Sequence, residues 1–477
     1  MLMAESRIAQ HRSHPRLVLL AMSLGVLVAQ IDTSVVSLAV KRIGADLGAG
    51  VSQMQWVIDA YNLTYASLLL TGGTLGDLYG RRRIFVLGIL LFTAGTVICA
   101  IAPNGAVLIG GRAISGLGAA LELPMSLVLL TLAYPEEKSR AHALGVWASC
   151  NGLAFIIGPT LGGFLVDSVG WRSIFYLILP VCVATLLLTY SAVPESAEPR
   201  GRKFDLTGQT LAALSLGGLA FVAIEGAHWG WLSVPTLALA AAAVAAGIAL
   251  FVVEARLDGA MIPVEFFRDR AFSAALAIAA LMTFGMYALL FLMPLYFQTL
   301  RGDSAFWAGL QMLPLSISFV VVSQLAGYAS NAVGPRVLMT AGMACMGLGA
   351  VLLAFVGEHT SVWMIAAAFV VVGIGLGLNT SPVNGVAVNA VPQARSGTAS
   401  GLLNTGRMIG ATMGIAVLGA VFAAFAGPEG AAGEGFLPGL RAAMLVGGIG
   451  ELIGAVIAFA FIRSDSLKRK SAHSSGR

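Results

Sequence analysis

Asp32, Asp59 and Arg112 each lie inside a stretch of chain long and apolar enough to cross a bilayer, where a charge costs about 2.5 to 3.5 kcal/mol at the centre of a helix. Asp32 falls about 8 residues before the outer end of its stretch, and Asp59 and Arg112 each fall about 5 residues into theirs, so at 1.5 Å per residue the three share one layer of the outer half. A dry setting and a nearby guanidinium pull a carboxylate in opposite directions, which suits a group that must load and release a proton. Asp32, Asp59 and Arg112 are therefore expected to couple protons. The alternative is a static ion pair that only holds helices together. Glu122 lies some 15 Å further along the helix than Arg112, just ahead of Pro124, where it is placed to line a central cavity and meet a cationic substrate. A single hydrogen-bonded helix contact would explain it too. Glu225, near His228, Trp229 and Trp231, reads as part of an interfacial belt. Arg407 reads as a snorkelling side chain, Met282, Met286 and Met293 as lipid-facing filler with the lining of an adaptable pocket as the alternative, and Glu451 as peripheral.

The elements that must hold these residues follow from composition. Of the 477 residues, 58% are hydrophobic and 11% charged, and the mean hydropathy of +0.87 lies far outside the range of a water-soluble domain. Runs of about 20 apolar residues recur about 14 times, the first starting near Leu17 and the last near Leu440. They lack the alternation of barrel strands. The expected fold is an all-α polytopic membrane protein with 14 transmembrane helices. Cys99, Cys150, Cys182 and Cys345 stand alone in apolar runs and read as structural thiols. No metal or cofactor is expected.

Orientation comes from the basic residues. With the N-terminus inside, about 21 of the 28 lysines and arginines fall on the inside and about five outside. Both termini are then cytoplasmic, the first helix is an uncleaved anchor, and the tail Lys468-Arg469-Lys470 is a solvated end. The net charge of +5 reflects insertion, so no nucleic-acid partner is expected.

The chain also repeats. Gly116-Leu117-Gly118-Ala119-Ala120-Leu121-Glu122, followed by Pro135 and Ser139, returns at constant offset as Gly373-Ile374-Gly375-Leu376-Gly377-Leu378-Asn379, followed by Pro392 and Ser396. Asn379 is thus the mate of Glu122 and a second candidate for the cavity wall. The turn Gly73 to Arg83 returns near Gly327, Asn331 and Gly334. A parallel duplication accounts for this: an N-terminal six-helix bundle over 1–200, two additional helices over 201–262, and a C-terminal six-helix bundle with a basic tail over 263–477.

These residues carry a family resemblance. The hairpin Gly73-Thr74-Leu75-Gly76-Asp77-Leu78-Tyr79-Gly80-Arg81-Arg82-Arg83 resembles the loop signature of the major facilitator superfamily, and Arg112 with Gly116, Gly118 and Ala120 resembles the second signature of its proton-driven members. Gly158-Pro159-Thr160-Leu161-Gly162-Gly163 resembles the antiporter signature. Ile31-Asp32-Thr33, Trp171 to Phe175 and Gly401 to Arg407 are similar to the 14-spanner drug:proton antiporter family, from whose frequent residues Ser37, Lys41, Leu78 and Ile178 depart. The resemblance implies a role for Arg112 in proton passage and a proton-driven exporter of small lipophilic drugs or antibiotics, acting as a monomer in a bacterial plasma membrane. Gly73, Asp77, Gly80 and Arg81 are then the cytoplasmic gate, and Gly158, Pro159, Gly162 and Gly163 a hinge or leak seal. Solute symport on the same fold, and a receptor-like or lipid-handling protein, are the alternatives. Enzyme motifs are missing: the chain has no Walker A, HExxH or GxSxG sequence, and Gly373 to Gly377 mimics a dinucleotide loop without a preceding strand.

Overall fold

A bilayer offers the backbone no water, so each spanning segment must satisfy its own N–H and C=O groups, and helices do this within one segment. In the computed structural model, which describes residues 14–197, 205–256, 263–392, 395–427 and 435–463, every regular element is a helix. The basic tail lies outside the described residues. The first half comprises α1 (Pro15–Leu47), α2 (Val51–Tyr79), α3 (Arg81–Ala100), α4 (Gly105–Ala133), α5 (Glu137–Ile157), α6 (Gly163–Ser168) and α7 (Arg172–Ala192). Next come α8 (Leu206–Trp229) and α9 (Val234–Glu254). The second half comprises α10 (Arg270–Thr299), α11 (Ala305–Val333), α12 (Pro335–Ala354), α13 (Val362–Asn389), α14 (Ser396–Met413), α15 (Gly419–Ala426) and α16 (Phe436–Phe461).

A π-helical turn, Gly158–Gly162, joins α5 to α6 end to end, and a second, Gly414–Leu418, joins α14 to α15. The result is fourteen rods. Thirteen are long and apolar enough among the described residues to cross a membrane, and α2, 29 residues long, runs among them. The rods form two six-helix bundles with α8 and α9 as the extra pair.

Helix starts are set by side chains that take up otherwise unpaired N–H groups. Asn104 accepts from Val107 N at 3.0 Å, Asp205 from Gly208 N at 2.8 Å, and Asp269 from Ala271 N at 2.8 Å. The reversals between α2 and α3 and between α11 and α12 each pass through one glycine with positive φ, Gly80 at 111° and Gly334 at 89°, a backbone conformation that side chains rarely adopt. The face of the molecule carrying these two turns is termed the hairpin face below.

The repeat seen in the sequence is also a repeat of contacts. A Cβ on Gly116 would run into Thr64 Oγ1 and Tyr61 O of α2; one on its mate Gly373 would run into Ser318 Oγ and Leu315 O of α11. The π turns extend the repeat. Gly163, just past the first turn, abuts Ala305 O of α11, and Gly419, just past the second, abuts Gln55 of α2, so each bundle clasps the other through corresponding rods. The extra pair leans on α2, where Gln209 of α8 bonds Ser67 O and Thr71, and Glu225 accepts from Ser52 Oγ at 2.5 Å and Trp56 Nε1 at 2.9 Å. Glu225 therefore pins α8 to α2 and is more than a member of an interfacial belt.

The apolar core is continuous across the bundles only away from the hairpin face. There Val36, Ile43, Val57 and Phe175 of the first half pack into one cluster with Phe291, Phe297 and Phe369 of the second. Nearer the hairpin face the first half keeps its own core, around Phe85, Phe92 and Met125. Two bundles joined at one face and separate at the other leave a space between them.

Candidate functional site

That space is a cavity of about 1360 Å³. It reaches from Gln30 and Tyr61 in the middle of the molecule to Gly73 and Asp77 at the hairpin face, with α2, α4 and α5 on one side and α10, α11, α13 and α14 on the other. At the opposite face the bundles are tied together. Lys41 Nζ donates to Gln298 O, Gln298 Nε2 donates to Leu38 O at 3.0 Å, and the Asp167 carboxylate accepts from Ala305 N at 3.0 Å and Phe306 N at 2.7 Å, capping α11 from the other bundle. Lys41, a departure from the resembled pattern, is thus part of this lock. Asp167 carried no sequence signal beyond being an acid near a helix end.

Asp32 and Arg112 meet behind the cavity wall. Arg112 Nη1 lies 2.5 Å from Asp32 Oδ2, Arg112 Nε donates to Val57 O at 3.0 Å, and its guanidinium lies 4.6 Å from the centre of the Tyr61 ring. Both charges are almost wholly buried, yet Asp32 Oδ1 has no hydrogen-bond partner among the described residues. The site can therefore accept a proton without first breaking a hydrogen bond at that oxygen. Thr33, next to Asp32 in sequence, and Tyr61, whose ring lies against the Arg112 guanidinium, both line the cavity, so the pair sits directly behind wall residues.

Asp59 does not join them. It is fully buried, with Asn62 one turn on as its polar neighbour. Gln55, Asp59 and Asn62 fall on one face of α2 by helical spacing, and Gln55 Nε2 donates to Ile415 O at 3.0 Å. That face is turned to α14 and its π turn, the seam between the bundles.

Glu122 and Asn379 lie off the cavity wall. A Cβ on Gly25 of α1 would stand 2.9 Å from Glu122 Oε1, and Gly88 of α3 abuts the Glu122 backbone, so this acid sits inside its own bundle with neither carboxyl oxygen bonded among the described residues. Asn379 sits likewise between α13 and α12, donating to Gly375 O at 2.9 Å and abutting Gly342. The wall of α4 is instead made by the next turn, from Leu123 to Val128. Glu451 is also interior, packed against Gly285 of α10.

Arg407 lies on the wall and is not a snorkelling residue. Its rod starts at Ser396, so its Cα stands about 16 Å from the helix start. Thr283 Oγ1 donates to Arg407 O at 2.6 Å, tying α10 to α14 at this level, and Arg407 Nη1 donates to Asn404 Oδ1 at 3.2 Å. Met282 and Met286 also line the cavity, and Met293 is fully buried, because α10 is a central rod; none of the three faces lipid.

At the hairpin, Arg81 reaches back across Gly80 to Asp77, with Nη2 to Oδ1 at 2.7 Å and Nε to Oδ1 at 2.9 Å. Glu195 accepts from Arg82 N at 3.1 Å and Arg83 N at 3.2 Å and so caps α3, a role with no marker in the sequence. Gly73 lines the cavity with open space where a Cβ would be. In the α5–α6 rod, Gly158 and Gly162 pack against Ser34 and Val35 of α1 in their own bundle, whereas Pro159 O abuts Gly309 and Gly163 abuts Ala305, both of the opposite bundle.

Two helical bundles around a shared cavity, with a buried charge pair at its edge, are the architecture of a membrane transporter. The chain belongs to the major facilitator superfamily, whose model matches residues 22–415 and 325–477. It is 40% identical over 410 residues to the multidrug resistance protein Stp of Mycobacterium tuberculosis, covering 86% of this chain and 76% of that one. It is 33% identical over 401 residues to the methylenomycin A resistance protein of Streptomyces coelicolor, covering 84% of each. A crystal structure of a bacterial homolog of the human lysosomal transporter Spinster, inward-facing and occupied, matches with a TM-score of 0.69 over 96% of this chain and 98% of that one; at 19% identity it speaks to the fold alone.

Proposed function

We propose that this protein exports small lipophilic compounds, antibiotics among them, across a bacterial plasma membrane in exchange for protons, by rocking its two bundles about the central cavity. The hairpin face is taken as cytoplasmic, with both termini on that side, the protein as a monomer, and the bundles as 1–200 and 263–477 with 201–262 between them. The observation that carries the reading is the buried Asp32–Arg112 pair beside Thr33 and Tyr61 on the wall of a cavity that both bundles line. The efflux names of the relatives support it.

In this mechanism protonation of Asp32 cancels its attraction for Arg112, which is left with the Val57 carbonyl and the Tyr61 ring. An unpaired buried guanidinium is costly, so the two protonation states prefer different packings of α1 on α4. Substrate favours one facing state and the proton the other, and each ligand biases the same pair of states. Asp59, on the seam between α2 and α14, is a second coupling site, and the Asp77–Arg81 pair with Gly73 and Gly80 is the cytoplasmic gate. Gly158, Pro159, Gly162 and Gly163 keep the opposite side sealed. No cofactor is needed, because the proton gradient supplies the energy.

Everted membrane vesicles test the reading. Acidifying the lumen should drive uptake of an exported antibiotic, Asp32→Asn should abolish the gradient-dependent part, and uptake by Asp32→Asn equal to wild type would remove that residue from coupling. Uptake driven only by an alkaline lumen would favour solute symport.

A further inference from the structure

Charge is distributed unevenly along the cavity. The acids on its wall, Asp77, Asp205, Glu254 and Glu265, all stand at helix ends or in the short segment before α10. Asp77 pairs with Arg81, Asp205 caps α8, Glu265 lies 3.5 Å from Arg395, and Glu254 is buried at the last residue of α9. Deeper in, Arg407 is the charged side chain on the wall among the described residues. The intramembrane acids are elsewhere: Asp32 is neutralised by Arg112, and Asp59, Glu122 and Glu451 are buried off the wall.

The geometry of the guanidinium is specific. Nη1, on the more open side, donates to Asn404, while Nε and Nη2 are covered and have no hydrogen-bond partner among the described residues, so no carboxylate of the protein neutralises this charge. A guanidinium is charged at any accessible pH and donates to the oxygens of a carboxylate, so an uncompensated one on the wall favours an anionic group beside it. Tyr65 and Tyr287 bring hydroxyls to the same wall, and Met282 and Met286 offer adaptable apolar surface for the rest of a ligand. A cation at this depth would meet a like charge in a medium that screens poorly.

We infer that Arg407 anchors an anionic group of the substrate, so that the cavity selects lipophilic acids over lipophilic cations. The inference rests on the export reading for there being a substrate at all, and it fixes the chemical class of that substrate.

Equilibrium binding separates the two claims, since it requires no gradient. The purified full-length protein in lipid nanodiscs would be titrated calorimetrically with 1-naphthylacetate, its neutral amide and 1-naphthylmethylammonium. The acid should bind at least tenfold tighter than the ammonium ion. Arg407→Gln should weaken the acid at least tenfold and the amide less than threefold, and Arg407→Lys should keep part of the preference. Equal or tighter binding of the cation by the wild type overturns the inference, as does an acid affinity unchanged by Arg407→Gln. Equal losses for acid and amide in that variant would mean that Arg407 only holds the wall, and would overturn it too. Absence of binding by all three probes counts against the export reading itself.

Discussion

A charge removed from water must be matched by its surroundings, and Asp32 and Arg112 are matched mainly by one another. Removing one partner of such a pair leaves the other uncompensated at a cost of about 3–5 kcal/mol, whereas removing both costs much less. Arg112→Gln should therefore lower the heat-unfolding midpoint in detergent, and Asp32→Asn with Arg112→Gln should recover most of the loss. A double variant less stable than either single one would contradict the pairing. The pair was legible in the sequence because an ion in an apolar run stands out whatever its neighbours are. Which way a side chain points was not legible. Depth alone places Glu122 at the cavity, yet its face of α4 turns to α1 and α3, and Arg407 reads as a snorkelling side chain because nothing in a single sequence says that its helix faces α2 and α10.

Among the helices, closeness of approach is set by residues without side chains. The glycines of α4 and α13 repeat in sequence because each lets its helix lie directly on a neighbour, with Thr64 and Tyr61 filling the space at Gly116 and Ser318 and Leu315 at Gly373. Gly116→Val and Gly373→Val should each destabilise their bundle by at least 1–3 kcal/mol, read as a lower unfolding midpoint and reduced folded yield. Gly110→Val, on the same helix as Gly116 but with nothing within 4 Å, should be close to neutral. Equal effects at positions 110 and 116 would show that lost helix flexibility, and not crowding, is responsible. This repeat could be read from sequence, but the paired π turns could not. Gly158 and Pro159 mark the first as a break, whereas the second, Gly414–Leu418, is an ordinary apolar stretch whose hydrogen-bond register becomes visible only in three dimensions.

For the molecule as a whole, the state seen is set by contacts away from the hairpin face. Asp167 provides two charge-assisted caps to α11, each worth about 1.5–3 kcal/mol, and Lys41 and Gln298 add bonds between α1 and α10. Asp167→Ala should shift the population toward a form open on that side. Spin labels at the exposed positions Val169 and Phe355, in a background lacking the four native cysteines, should then report a longer distance component; an unchanged distribution would exclude Asp167 from the lock. The direct test of obligatory exchange uses sealed proteoliposomes with no imposed pH difference and an entrapped pH-sensitive dye. A substrate gradient alone should move protons in the opposite direction, and Asp32→Asn should abolish that movement. Substrate flux through the wild-type protein with no accompanying pH change would contradict it.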